Sequence, residues 1–548
     1  MKIVKIFGPP GAGKTTALIN YVLNLLGKNF YSIYEELLCV SFTNAAVSAL
    51  LNKFLERKVK LNAKQVRTLH SLCYEALCKF HNRSLYSDLV SELDVANYFQ
   101  KKGYDFSLAD DYEEGYSVKL GNKIFRFIER VRHTWDVEKD FSLHFRDFYK
   151  KEKESFNFNL SFDFILKEYQ EYIQFLKEKI DYTKLLIEVL KNQMCLSIFE
   201  GTVLLIDEAQ DFTMLEWAVL RELMKNYEII VIAGDDDQAI YNFAGADSRI
   251  FLDLEGDEEV VLDTSYRLTS IVCERAKKLI SRNKKRKIKE FKAIKTSGNI
   301  REISGGFVYD VIKQAIEREK EVFLLCRNQV FVREHARRLY SLNIPFAYLD
   351  REVVPQWVLT MKTLINIRQV KEVDRKDVEN LLTVLKQRLK QIVPIEDKIL
   401  TASQVEDKVF NEVFKVLTKQ KSFNECEREE SKKILEAINT RSIDDLFQEF
   451  KYKHQTIYSF WKGVLHNLEA WLKPRVYLGT IHKAKGLESD VVFVDLRVTK
   501  EVFLNMNTSQ DSLESERRVF YVALTRAREE VYFFTFKHKY IFHECFYL

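Results

Sequence analysis

The chain has 548 residues, and Lys plus Arg (85) nearly balances Asp plus Glu (80), for a formal net charge of +5. With 46% hydrophobic and 13% aromatic residues, it is excluded from the disordered class and holds enough apolar material for sizeable cores. At roughly 150 residues per domain the length suggests about four domains. The near-neutral balance means that any nucleic-acid groove must be made by local charge rather than by overall charge. No apolar run approaches the ~18 residues of a membrane span. The eight cysteines form no CxxC pair, so reduced thiols in a soluble, cytoplasmic protein are expected rather than zinc ligands or disulfides.

The first predicted element is a strand at Ile3–Phe7, running directly into GPPGAGKT, Gly8 to Thr15. This fits G-x-x-x-x-G-K-[ST] in full, and the helical TALINYVLNLL follows it. Strand, loop and helix are the context a phosphate-binding loop requires. Backbone N–H groups of Gly8, Pro9, Pro10, Gly11, Ala12 and Gly13 curl around phosphates as far as each residue has one. Lys14 reaches the terminal phosphates, and the Thr15 hydroxyl holds Mg²⁺. A second strand is expected at Cys39–Phe42. Residues 84–179 then read as helical, with apolar positions at spacings of three and four.

Val203–Ile206 is the next strand, and it ends in Asp207 and Glu208 within VLLIDEAQD. Asp207 is positioned to hold Mg²⁺ and Glu208 to position or deprotonate an attacking water. Ile229–Ala233 reads as a buried parallel strand whose carboxyl end carries GDDDQAIYNFAGA, mixing acids, a glutamine and the aromatics Tyr241 and Phe243. YRL (Tyr266–Leu268) follows. The basic run RNKKRKIK, Arg282 to Lys289, reads first as a solvated helix end and second as a nucleic-acid contact. Val322–Cys326 is a further strand, and 366–473 a second helical stretch. GTIHKAKGLESDVVFVD, from Gly479 to Asp495, is strand, polar turn and strand. Its Thr480, His482 and Lys485 are candidates for phosphate-backbone contacts. LTRAR (Leu524–Arg528) and a strand at Val531–Phe534 close the series. With 17 Gly and 6 Pro and no Gly/Ser-rich or Pro-rich linker, the simplest layout is two α/β domains, each interrupted by a helical insertion.

Taken in order, GPPGAGKT, VSFTNAAVSAL, RTLHSLCYEAL, IDYTKLL, LLIDEAQDF, AGDDDQAIYNFAGA, LDTSYRL, GTIHKAKGLE and RRVFYVALTRAR resemble the motif series of the UvrD/Rep-type helicases of superfamily 1, the 3′→5′ branch. The resemblance runs from Gly8 to Arg528. It implies two RecA-like motor domains: 1–83 with 180–265, and 266–365 with 474–548. The helical insertions are then 84–179 and 366–473. ATP lies in the cleft between the motors, and single-stranded DNA crosses both. Lys14, Thr15, Asp207 and Glu208 keep the roles given above. Gln238 senses the γ-phosphate, Tyr266 stacks on the adenine and Arg267 touches the γ-phosphate. Gly486 and Glu488 lie at the nucleotide, Glu488 on the ribose, and Arg526 is the arginine finger. Phe42, Thr43, His70, Tyr241, Phe243, Thr480 and His482 face DNA. One short turn therefore touches both ligands, with Gln238 toward ATP and the two aromatics toward bases.

Three departures from the family pattern are present. With the P-loop strand beginning at Lys2, the glutamine-bearing segment that reads adenine is expected to be missing. Thr16 follows GKT where an Arg is usual, so the base is expected to be read loosely. Phe243 stands where the family has Trp. The expected activity is ATP-driven, Mg²⁺-dependent 3′→5′ unwinding or translocation on single-stranded and 3′-tailed DNA, without a membrane. A motor subunit that controls DNA binding inside a larger complex, for example with a nuclease, is the alternative. An RNA-directed motor is a third reading. The pathway and any replication or repair partner are not written in the motifs.

Overall fold

The computed structural model describes residues 1–26, 36–106, 119–153, 160–349 and 468–545. The expected second helical insertion, 366–473, lies almost wholly outside them. The chain divides into two compact units. One comprises Met1–Gly306, Leu325–Gln329 and Thr480–Leu548, and the other Phe307–Leu324 and Val330–Gly479.

In the first unit, β1 (Lys2–Phe7), β2 (Leu37–Ser41), β3 (Val66–Thr68), β4 (Gly201–Ile206), β5 (Tyr227–Gly234) and β6 (Glu258–Val261) form one sheet in the order β3-β2-β4-β5-β1-β6. All of its pairings are parallel. The central strands are apolar on both faces because helices cover both. Lys14–Leu26 and Asn44–Glu56 pack on one side, and Leu69–Phe80, Tyr182–Lys191 and Met214–Met224 on the other. Register then fixes the site. Phe7 pairs with Gly234, and Ile206 with Ile232 and Val40. The loops after β1, β4 and β5 therefore emerge side by side at the carboxyl edge, where open parallel sheets bind ligands.

Residues 92–176 hold the helices Glu92–Lys101, Leu120–His133, Phe141–Glu152 and Phe162–Phe175. They share an aromatic-rich core of their own, built on Phe99, Phe125, Phe127, Phe145 and Tyr172. Beyond β6 come β7 (Thr264–Thr269) and β8 (Lys292–Lys295), a parallel pair, and β9 (Asn299–Ser304). In the second unit β12 (Val476–Thr480, whose last residue belongs to the first unit) lies between β10 (Val322–Cys326, likewise shared at its end) and β11 (Phe346–Tyr348). In the first unit β14 (Ala527–Thr535) runs parallel to both β13 (Ser489–Asp495) and β9. Parallel strands linked by helices make this the α/β class expected of RecA-like motors. Among the described residues no helix is long and apolar enough to cross a membrane.

Candidate functional site

The P-loop backbone takes the form its glycines dictate. Gly11 (φ 72°) and Gly13 (φ 76°) lie in the left-handed region, where L side chains are strained. A Cβ on Gly11 would fall 2.4 Å from Arg267 Cβ, so only glycine lets β7 approach the loop. There the Tyr266 N–H donates to the Gly11 carbonyl at 2.9 Å. Pro9, Pro10 and Ala12 complete the loop, and Thr16 sits half-buried in the helix that follows. Lys14 Nζ donates to the Gly8 carbonyl at 3.0 Å.

The Thr15 hydroxyl donates to Asp207 Oδ2 at 3.0 Å, which joins the two expected Mg²⁺ ligands across β1 and β4. Burial, then the charge of Glu208, pushes the Asp207 carboxyl up to about 6. An uncompensated carboxylate beside a threonine hydroxyl is the donor set a hard divalent cation takes, and the residues present fit Mg²⁺. Glu208 itself holds a left-handed backbone (φ 56°, ψ 42°), a strained state for a non-glycine residue. Burial alone would raise its pKa, but the ammonium groups of Lys485 and Lys14 hold it below the usual carboxylate range. It is therefore ionised, as a general base must be.

Gln210, to which the motifs assign no role, holds the Glu208 carboxylate in place. Gln210 Nε2 donates to Glu208 Oε2 at 2.6 Å, while its Oε1 accepts from the Asp235 N–H at 2.8 Å. One amide so ties the end of β4 to the end of β5. Lys485, a candidate for a phosphate-backbone contact, points inward in this structure. Its Nζ lies 2.6 and 2.5 Å from the two Asp211 oxygens and donates to the Gln238 carbonyl at 2.7 Å. Its side chain is 8% exposed beside the buried Asp211, and the pairing is a tertiary feature with no local signature.

Gln238 is buried at the end of the turn Asp236–Gln238. Its Nε2 donates to Asp235 Oδ2 at 2.7 Å, and its Oε1 accepts from Arg526 Nη2 at 2.8 Å. Arg526 is 1% exposed. It also donates to the carbonyls of Val522 and Leu487. Burial, and then the neighbouring Arg267, bring its pKa down to about 9. Arg267 Nε donates to Glu488 Oε2 at 2.5 Å, so Glu488 orients an arginine in this state. Gly486 turns the chain there at φ 83°. Tyr266 is 62% exposed, with a free ring face for a planar group. Arg528, the other arginine of LTRAR, bonds Asp490 at 3.1 Å instead.

The aromatics expected to face DNA meet in one row. Ring centroids lie 5.6 Å apart for Phe42 and Tyr241, 6.1 Å for Tyr241 and Phe243, and 5.3 Å for Phe243 and His482. Lys485 Nζ sits 5.0 Å from the Tyr241 ring. Phe243 and His482 line a groove of about 1390 Å³ shared with Tyr182, His133, Arg130 and Arg327. His70 is 5.4 Å from Tyr182, ring to ring. Tyr182, the first residue of its helix within IDYTKLL, is 65% exposed; an aromatic directly after the capping Asp181 is the signal the sequence offers for it.

Three candidates differ from expectation in chemistry. Thr43 uses its hydroxyl to cap the helix Asn44–Glu56, accepting from the Ala46 N–H at 3.1 Å. Thr480 is fully buried and offers no surface donor. His482 is 2% exposed, and burial with Arg327 and Lys485 nearby holds its pKa well below the ordinary value. A neutral imidazole can stack or make a hydrogen bond but cannot form an ionic phosphate contact.

The basic run divides: Arg282, Lys284 and Lys285 are exposed, as a solvated helix end is, whereas Arg286 and Lys289 turn inward. Lys289 is buried against Asp235, Asp236 and Asp237, and the part-buried Arg286 pairs with Asp237. A string of charges reads as solvated unless its partners, some 50 residues away, are known.

Residues 2–259 match the model of the UvrD/REP helicase N-terminal domain, and residues 359–538 that of the UvrD-like helicase C-terminal domain. A probable DNA helicase II homolog of Mycoplasma capricolum is 23% identical, over 97% of this chain and 82% of its own length. The ATP-dependent DNA helicase Rep of Buchnera aphidicola is 24% identical, over 96% and 90%. The ATP-dependent DNA helicase PcrA of Staphylococcus aureus is 22% identical, over 96% and 80%.

Proposed function

The chain belongs to the UvrD/Rep helicase family, and from that premise we propose that it is an ATP-dependent 3′→5′ DNA helicase or single-strand translocase. The observation that carries the reading is the segment from Asp235 to Phe243. Gln238 bonds Arg526 through its side chain and Lys485 through its backbone carbonyl, while Lys485 lies over Tyr241. A movement of Gln238 at the nucleotide is thus passed to the aromatic row within a few residues.

In this reading the P-loop, Gly8 to Thr15, cradles the phosphates, and Lys14 neutralises the terminal ones. Thr15 and Asp207 would hold Mg²⁺, which supplies charge neutralisation at the phosphate oxygens. Glu208, ionised and anchored by Gln210, accepts the proton of the attacking water. Gln238, Arg267 and Arg526 stabilise the charge that develops on the transferred phosphoryl group. Tyr266 stacks on the base, and Gly486 and Glu488 border the nucleotide. Phe42, Tyr241 and Phe243, with His70 and Tyr182 alongside, stack on bases of a single strand, and the buried His482 backs the Phe243 ring on the DNA side. Such stacking is sequence-tolerant because every base has a π-face. Thr43 presents the start of its helix to the strand, and Thr480, buried at the end of β12, sets the start of the turn that carries His482.

The motor domains are assigned to 1–83 with 180–265 and to 266–365 with 474–548, with helical insertions at 84–179 and 366–473. The separate aromatic core of residues 92–176 supports the first insertion. Single-stranded and 3′-tailed duplex DNA are the substrates, and the cytoplasm is the place of action. The test is ATP hydrolysis with and without single-stranded DNA, then unwinding of 3′-tailed against 5′-tailed duplexes. Hydrolysis that DNA does not stimulate, or a preference for 5′ tails, overturns the assignment. Stimulated hydrolysis without unwinding favours a motor subunit of a larger complex.

A further inference from the structure

Asp235, Asp236 and Asp237 are three consecutive carboxylates, each 0% exposed. Such a group is tolerated only when its charge is matched at close range. The match comes from the basic run. Lys289 Nζ, itself fully buried, lies 3.0, 2.5 and 2.9 Å from Asp235, Asp236 and Asp237. Arg286 forks onto both oxygens of Asp237 at 2.7 and 2.6 Å. The Lys287 N–H donates to Asp236 Oδ2 at 2.9 Å.

Two routes lead from this cluster to Arg526. The first is direct: Lys289 to Asp235, Asp235 to Gln238 Nε2, and Gln238 Oε1 to Arg526. The second passes through the helix Gln510–Leu524, whose end places Arg526. From that helix Arg518 donates to the Asp236 and Lys285 carbonyls, and Arg517 to the Arg282 carbonyl. The acidic turn, the basic run and the helix bearing the finger are thereby held together by charge.

We propose that Lys289, with Arg286, is a positioning residue for hydrolysis: it clamps the Asp235–Gln238 turn so that Gln238 and Arg526 meet the nucleotide in register. The clamp rests on the reading of Gln238 as the γ-phosphate sensor. Compact ammonium geometry suits Lys289, which touches three carboxylates at once. The planar guanidinium suits Arg286, which grips one.

The experiment measures KM for ATP, DNA-stimulated kcat and nucleotide-free DNA affinity in the full chain, each per folded molecule. Lys289→Met should raise KM and lower stimulated kcat by about tenfold or more, with DNA affinity unchanged. Asp236→Asn in the Lys289→Met background removes one carboxylate with the ammonium and should recover much of the loss. Asp236 is the natural choice, because Asp237 keeps Arg286 and Asp235 keeps Gln238. Arg286→Gln, a smaller lesion at the edge of the cluster, should shift KM in the same direction and keeps the test open should Lys289→Met not fold. Folded Lys289→Met or Arg286→Gln proteins with wild-type KM and stimulation overturn the clamp. So does a folded double variant no better than a folded single one. Gln238→Ala separates the two ideas. If it hydrolyses normally, the sensor reading fails. If it is defective while Lys289→Met is normal, only the clamp fails.

Discussion

At the scale of single residues, the site is a set of charges whose protonation is set by burial and by lysines. Glu208 is ionised because Lys485 and Lys14 outweigh its burial. Glu208→Gln should therefore keep nucleotide binding while slowing hydrolysis by roughly 10²–10⁴, the range for loss of a general base. Equilibrium binding and steady-state turnover check this, and near-normal turnover removes Glu208 from the role. The two arginines of LTRAR also separate by environment. Arg526 is buried on Gln238, whereas Arg528 is a third exposed and paired with Asp490. Arg526→Ala should lower kcat by roughly 10³ or more, as for other arginine fingers, and Arg528→Ala far less. Because Arg526 also holds two carbonyls, Arg526→Lys is compared at matched folded fraction; equal behaviour of Arg526→Ala and Arg528→Ala would show the wrong arginine had been chosen. The motif residues were legible because each motif encodes a local turn: a glycine where φ is positive, a carboxylate where a strand stops. Gln210, Lys485 and Lys289 were not, because what they do depends on partners far away in sequence, and a lone Gln or Lys says nothing of its partner.

At the scale of elements, apolar runs located the central strands. Ile229–Ala233 falls within β5 and Val203–Ile206 within β4, since strands covered on both faces must be apolar throughout. The strands β6, β7, β8 and β9 gave no such signal. They are short and carry Glu, Thr, Lys and Arg, with half or more of their residues not buried, so no apolar run or strict alternation marks them. The helical character of 84–179 was legible from its periodicity, but its internal wiring was not. Arg132, 1% exposed, forks onto Asp181 at 2.6 and 2.9 Å. Asp181 also caps the helix Tyr182–Lys191, accepting from the Lys184 N–H at 2.6 Å. Asp181→Ala removes the cap and leaves the buried guanidinium with Glu129 alone, which meets only its Nη1. It should cost about 3–5 kcal/mol, the range for breaking a buried ion pair. Arg132→Met in the same chain should recover part of that loss, because no buried guanidinium is then short of its partner, and Glu129 keeps the Thr183 hydroxyl. Denaturant unfolding of both variants decides it. A single variant within ~1 kcal/mol of wild type would mean that water reaches the pair and screens it.

For the whole molecule the question is whether the nucleotide and the strand are read by one device, and Phe243 is the residue that separates the possibilities. It is half-buried and outside the apolar cores that flank the first sheet. Its neighbours are Tyr241 and His482, the latter at an interplanar angle of 90°, and it opens onto the groove. A phenylalanine serving only as core would cost about 3–5 kcal/mol on truncation. A stacking residue would cost little stability but ~1–3 kcal/mol of single-strand affinity. Phe243→Ala is therefore expected to melt close to wild type and to hydrolyse ATP normally without DNA. It should bind single strands more weakly and unwind less duplex per ATP consumed. The last effect should exceed the first, because the turn that carries Phe243 also carries Gln238, and a ring that no longer grips the base leaves the movement of the turn without a load. Phe243→Trp enlarges the stacking face and should retain or improve unwinding. Melting curves, oligonucleotide affinity and the ratio of base pairs opened to ATP hydrolysed are measured on the same preparations. A Phe243→Ala protein that melts much earlier, yet unwinds normally per folded molecule, would return Phe243 to the core and leave the coupling to Tyr241 and Lys485 alone.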